Sequence, residues 1–136
     1  MLHELCELTI VQHFVVAQMC FASSESAANL QPYFDFNVQR NVTLTVGQTA
    51  FLHCHVERLN DKDVSWIRKR DLHILTAGKY TYTSDQRFQV IPRENTTQWV
   101  LQIRYVQLRD AGVYECQINT EPKMSLSYTL NVIGKF

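Results

Sequence analysis

What the sequence lacks narrows its chemistry first. Four glycines in 136 residues, at Gly47, Gly78, Gly112 and Gly134, are too few and too far apart for either of the Gly-rich loops that cradle phosphates. Nucleotide-dependent chemistry is disfavoured on that ground. An excess of charge of one sign is also missing: 13 Lys and Arg stand against 13 Asp and Glu, so no long-range field gathers polyanions, and nucleic acid is not an expected partner. There is no G-x-S-x-G elbow, no H-E-x-x-H pair and no obvious carboxylate pair for acid-base work, so an enzyme is not expected and no cofactor is implied. The triplet His53-Cys54-His55 holds zinc-type ligands. In a strand, however, the cysteine and the histidines point to opposite faces, and two histidines alone close no metal site. Arg68-Lys69-Arg70 is offset by Asp61, Asp63 and Asp71 and reads as a charged turn.

Long apolar runs are scarce as well. The longest, Leu8 to Phe21, has 14 positions and is interrupted by Gln12, His13 and Gln18, whereas a membrane span needs about 20 apolar residues. Small and polar residues follow it from Ala22 to Ala28. The segment reads as a secretory signal peptide over residues 1–22, with cleavage as late as 28, although Glu4 and Glu7 stand where a basic end is usual. A polar stretch, 23–32, and one domain, 33–136, would follow. Cys6 and Cys20 fall inside the leader, which leaves Cys54 and Cys116 as an even pair. Asn41-Val42-Thr43 and Asn95-Thr96-Thr97 are glycan acceptors in that compartment. Removing residues 1–22 takes away two acids and no base, moving the net charge from 0 to +2.

The rest of the chain alternates at period 2. Val42, Leu44 and Val46 are followed by a Gly47-Gln48 turn; then come Ala50, Leu52, Cys54 and Val56, later Val64 and Trp66, then Trp99, Leu101 and Ile103, and finally Tyr128, Leu130 and Val132. These are half-buried strands, and outside the leader no window sustains a helical apolar stripe. An all-β sandwich or barrel follows. Trp66 lies 12 residues after Cys54, Cys116 lies 50 beyond Trp66, and the second cysteine closes the run Asp110-x-Gly112-x-Tyr114-x-Cys116. That is the spacing of an immunoglobulin-like sandwich with one inter-sheet disulfide packed on the tryptophan and a tyrosine corner at Tyr114. The 49 residues between Trp66 and Cys116 leave room for two extra edge strands, Leu72 to Thr76 and Tyr80 to Tyr82, making the domain variable-type. Arg87 resembles the arginine that pairs with the aspartate of this motif, here Asp110.

Side chains adjacent to Trp66 and Cys116 then point outward. Ile67 shares that face with Glu115, Gln117 and Asn119, and with either His73 and Leu75 or Leu72, Ile74 and Thr76. An apolar surface rimmed by Lys69, Gln117, Asn119 and Lys123 has the composition of a protein-binding patch.

The segments YFDF at 33–36, VGQTAFL at 46–52, VSWIRKRDLHILT at 64–76, YTSD at 82–85 and QINTEPK at 117–123 resemble the first immunoglobulin domain of the defective proboscis extension response (Dpr) family. The resemblance implies an arthropod neuronal surface protein that pairs its outward sheet face with an immunoglobulin-superfamily ectodomain, the Dpr-interacting protein, in synaptic partner recognition. Weak homophilic contact would be a second mode. The resemblance favours Ile67, His73, Leu75, Gln117 and Asn119 as contacts, with Met124 near the sheet edge. It places the protein in the secretory pathway and outside the cell. Family members usually carry a second immunoglobulin domain and a C-terminal anchor. This chain runs to Phe136, just past the last expected strand, and encodes no membrane anchor of its own, so the expectation is either a fragment of a longer, anchored protein or a soluble single domain. A soluble decoy or humoral recognition domain is the alternative.

Overall fold

The computed structural model describes residues 30–92 and 97–134, together with the backbone of 8–11 and 14–17. The chain divides into two compact units, Met1–Gln31 and Pro32–Phe136. In the first, β1 (Leu8–Val11) pairs antiparallel with β2 (Phe14–Ala17). Both strands come from the apolar run read as a leader. Most of that leader, including its cleavage position, lies outside the described residues, as does Asn95.

Among the described residues ten strands build the second unit: β3 (Tyr33–Phe34), β4 (Asn41–Thr45), β5 (Ala50–Glu57), β6 (Val64–Arg68), β7 (His73–Ala77), β8 (Tyr80–Thr81), β9 (Phe88–Pro92), β10 (Gln98–Ile103), β11 (Gly112–Ile118) and β12 (Met124–Ile133). They form two sheets, ordered β3-β5-β10-β9 and β4-β12-β11-β6-β7-β8. All neighbours are antiparallel except β4 on β12. The edge pair β7 and β8 supplies the extra strands of a variable-type sandwich. Gly47, at φ +93°, sits in the left-handed region that its turn between β4 and β5 requires.

Strand alternation decides what is buried. Ala50, Leu52, Cys54 and Val56 are fully enclosed while Phe51 and His53 between them are exposed. Cys54 and Cys116 form the inter-sheet disulfide, with 62 residues of sequence separation; closing a loop of that length stabilises by about 4 kcal/mol in the chain-entropy account. Trp66 is fully buried and meets Tyr128 edge-on at 5.0 Å between ring centres. The Tyr128 hydroxyl donates to the His53 carbonyl of the opposite sheet, so this tyrosine is both a core ring and a cross-sandwich tie.

The base of the sandwich is closed by charge. Arg87 donates from Nη1 to Asp110 Oδ2 at 2.7 Å and from Nη2 to Asp110 Oδ1 at 2.9 Å, a bidentate pair. Asp85 takes further bonds from Arg87 Nε and Nη2. Asp110 ends a 3₁₀ turn, Leu108–Asp110, and accepts from the Gln107 N–H at 2.7 Å. Burial pulls the Asp110 carboxyl upward, but the hydrogen bonds from Arg87 and Gln107 outweigh it and hold its pKa below the ordinary value. The Tyr114 hydroxyl donates to the Asp110 carbonyl at 2.6 Å, the tyrosine corner expected from D-x-G-x-Y-x-C. Burial, with the nearby Asp110 charge, pushes that phenol up to about 12.

Candidate functional site

The outward surface of the six-stranded sheet is assembled by register. Ser127 pairs with Glu115, Glu115 with Ile67, and Ile67 with Ile74, so these four residues make one row across β12, β11, β6 and β7. Ser125, Gln117, Ser65 and Ala77 make the next row. Side chains paired this way share one face of the sheet. Inward neighbours Trp66, Cys116 and Leu126 anchor the row from beneath.

Polar groups in the row are tied sideways rather than left pointing up. Glu115 Oε1 accepts from Gln117 Nε2 at 3.0 Å, while its Oε2 accepts from the Ser127 hydroxyl at 3.4 Å and lies 3.4 Å from Lys69 Nζ. At the top, Asn119 and Asp63 exchange two bonds: Asp63 N–H to Asn119 Oδ1 at 2.7 Å and Asn119 N–H to the Asp63 carbonyl at 3.2 Å. Between these tied groups lies an apolar centre. Ile74 is 48% exposed beside half-buried Ile67, and the two help line a cleft of about 110 Å³ with Ser65, Gln117, Ile118, Asn119 and Lys123. Small-molecule sites run to about 300–1,000 Å³. This cleft has the scale of a side chain, so the arrangement suits an apolar anchor offered by another protein.

Ile67, Gln117 and Asn119 are therefore brought together as the sequence led us to expect, while three other candidates sit elsewhere. Leu75 is fully buried and cannot touch a partner. The β6–β7 pairing shifts between Trp66 and Ile67, running from Trp66–Thr76 to Ile67–Ile74. That bulge leaves Leu75 as the extra residue, turns it inward, and gives its outward place to Ile74. His73, exposed, pairs with Arg68 and lines a polar cavity of about 300 Å³ at the base with Arg68, Arg70, Arg87 and Asp110. Met124 pairs with buried Ile118 and packs against the core, so it is on the inner side of its strand. The bulge has a second consequence. Thr76 is turned inward, fully buried, and its hydroxyl finds no hydrogen-bond partner among the described residues, which costs about 1–3 kcal/mol.

On the opposite sheet His55 is occupied by its neighbours. Its Nε2 is 2.8 Å from Glu57 Oε1, and its Nδ1 is 3.2 Å from Gln98 Nε2 and 3.5 Å from Asp35 Oδ2. Among the described residues no three His, Cys, Asp or Glu converge as metal ligands would, and no helix is long and apolar enough to cross a membrane.

Comparison with known proteins fits this geometry. Residues 32–132 match the immunoglobulin I-set domain. Among curated proteins, the Caenorhabditis elegans Zwei Ig domain protein zig-8 is 34% identical over 95 residues, which are 70% of this chain and 35% of that protein. The chain thus spans about a third of the length of that relative. The crystal structure of the ZIG-8 IG1 homodimer is 32% identical with a TM-score of 0.66, covering 73% of this chain and 83% of that one. Dpr1 IG1 bound to DIP-eta IG1 is 76% identical with a TM-score of 0.76, covering 76% of this chain and 98% of that one. Dpr2 Ig1-Ig2 in complex with DIP-Theta Ig1-Ig3 is 57% identical with a TM-score of 0.75, covering 76% and 48%.

Proposed function

The chain belongs to the immunoglobulin I-set domain family, as a first domain of the Dpr type, and on that premise we propose that it is an extracellular recognition domain. It docks the outward face of β11, β6 and β7 onto the first immunoglobulin domain of a Dpr-interacting-type protein, in neuronal cell-cell recognition. The domain acts by binding rather than by catalysis. The observation that carries this reading is the Ile67–Ile74 pair, half-buried and exposed respectively, apolar, and set between Glu115, Gln117, Asp63 and Asn119, which are already bonded to their neighbours. Domains 76% and 57% identical to this one were crystallised with immunoglobulin partners. The ZIG-8 IG1 homodimer supports a second, homophilic mode for the same fold.

One sheet face of this size offers about 800 Å² per partner, and it has neither a Trp nor an Arg at its centre of the kind that makes hot spots. A monomer should therefore bind in the micromolar range, with several copies on a surface raising the effective concentration. Surface plasmon resonance of the purified chain against a panel of Dpr-interacting-type ectodomains tests the reading. Saturable binding that Ile67→Asp removes and Phe51→Asp, on the opposite sheet, spares is the expected result. Equal loss from both changes, or no binding to any member, would refute it.

A further inference from the structure

We infer that Asn41 carries an N-linked oligosaccharide standing on the rim of the docking face, and that this glycan limits how tightly the partner binds. The inference rests on the docking reading above and adds a means of regulating the same surface. Asn41 opens the triplet Asn41-Val42-Thr43 and is exposed on β4, the edge strand of the six-stranded sheet. Asn131 Nδ2 donates to Asn41 Oδ1 at 2.6 Å and lies 3.3 Å from Thr43 Oγ1. The amide is thereby oriented with its own Nδ2, the atom that takes the sugar, without a partner among the described residues. In the modification that nitrogen attacks the anomeric carbon of a lipid-pyrophosphate-linked oligosaccharide. The C–N bond forms as the C–O bond breaks, the lipid pyrophosphate leaves, and one amide proton passes to base.

Register sets where the sugar stands. Thr129, paired with Asn41 and with Val113, is exposed between buried Tyr128 and Leu130, so Asn41 is on the outward face. Three strand spacings separate β4 from β6, about 14 Å. The Asn41–Thr129–Val113 row is two residues from the Glu115–Ile67 row, about 7 Å, which puts Asn41 about 16 Å from Ile67. A disc of about 800 Å² has a radius of about 16 Å. The attachment point thus falls on the edge of a standard interface centred on Ile67. The side chains lying between are Thr129, Ser127, Val113 and Glu115, none tall enough to fence off a branched, mobile chain.

The test uses the chain secreted from cells that glycosylate, with occupancy of Asn41 read by peptide mass mapping. Thr43→Val removes the acceptor while keeping a β-branched strand residue, and Asn41→Gln removes it independently; melting curves report folding of each. With a partner ectodomain immobilised, both variants should bind about three- to tenfold more tightly, mostly through a faster association rate, because a rim chain restricts productive approach. An unmodified Asn41, or unchanged affinity in both folded variants, would overturn the inference. Ile67→Asp run beside them keeps the two claims apart. If it abolishes binding while the sequon variants change nothing, only the glycan claim falls. If it changes nothing either, the docking reading falls, and this inference with it.

Discussion

Two ends of the same strands do opposite work. At the base, Arg68 on β6, His73 on β7 and the turn before β11 meet Arg87, Asp85 and Asp110. There Arg87 bonds both Asp85 and Asp110, and Asp71 is held down at about 2 by its bonds from Arg68. A few residues along, β6, β7 and β11 present Ser65, Ile67, Ile74 and Gln117. Here Gln117 is tied laterally to Glu115, Ile74 is exposed and Ile67 is half-buried. The paired charges of the base add stability. The sheet face adds almost nothing to folding and leaves apolar area whose burial awaits association. Substitutions at the two ends should therefore separate stability from binding.

The largest effect is expected at the base. Arg87→Ala leaves Asp110, 2% exposed in its side chain, without its counter-charge and should cost about 3 kcal/mol or more of unfolding free energy in a denaturant titration. Partner affinity of the fraction still folded should stay unchanged. The same pair gives an acid dependence. Asp85 and Asp110 titrate below their ordinary value of 3.8 in the folded state. Their contribution is therefore complete above about pH 4 and is lost as pH falls through the folded values; Arg87→Ala should flatten that acid limb. On the face, Ile67→Asp should raise Kd by about 30-fold or more, at least about 2 kcal/mol, while moving stability by no more than about 0.5 kcal/mol. Stability loss at Ile67 comparable to that at Arg87 would erase the distinction.

A finer cut is Tyr114→Phe, which removes one hydrogen bond at the base and should cost about 1 kcal/mol with no change in binding. The phenol, ordinarily near 10, is raised to about 12 in the fold. Wild-type stability should consequently decline as pH rises from 10 toward 12, and the phenylalanine variant should lack that component. Smallest is Thr76→Val, which replaces a buried hydroxyl without a partner among the described residues with a methyl and should leave stability equal or raise it by up to about 1 kcal/mol. A clear loss would mean that the bulge depends on the hydroxyl.

Period 2 made most of this legible. In β5 and β11 every second residue is buried, and in β10 Trp99, Leu101 and Ile103 are buried with Val100 joining them, so the core, the disulfide pair and the outward position of Ile67 and Gln117 could be read directly. The base was legible because D-x-G-x-Y-x-C fixes Asp110 and Tyr114 in one turn, leaving only Arg87 to be matched across space. In β7 the reading broke down for a physical reason. Ile74 and Leu75 are adjacent and both apolar, so alternation cannot say which faces out, and the bulge that decides it belongs to the pairing with β6 rather than to β7 alone. Neither phase considered from the sequence survives whole: Ile74 is out, while Leu75 and Thr76 are both in. Met124 was within reach, since counting back by twos from Leu130, Tyr128 and Leu126 lands on it and assigns it inward. The cleft beside Ile118 had no sequence signal, because residues from three strands meet there.

The central claim is that the partner docks on the outward isoleucines of the six-stranded sheet. Titrating isotope-labelled domain with an unlabelled Dpr-interacting-type ectodomain, and following backbone amide resonances by NMR, tests it most directly. Docking there should concentrate perturbations at Ser65, Ile67, Ile74, Gln117 and Asn119 and leave His53, His55 and Gln98 unmoved. Perturbations centred on those last three, with Ile67 and Ile74 silent, would contradict it.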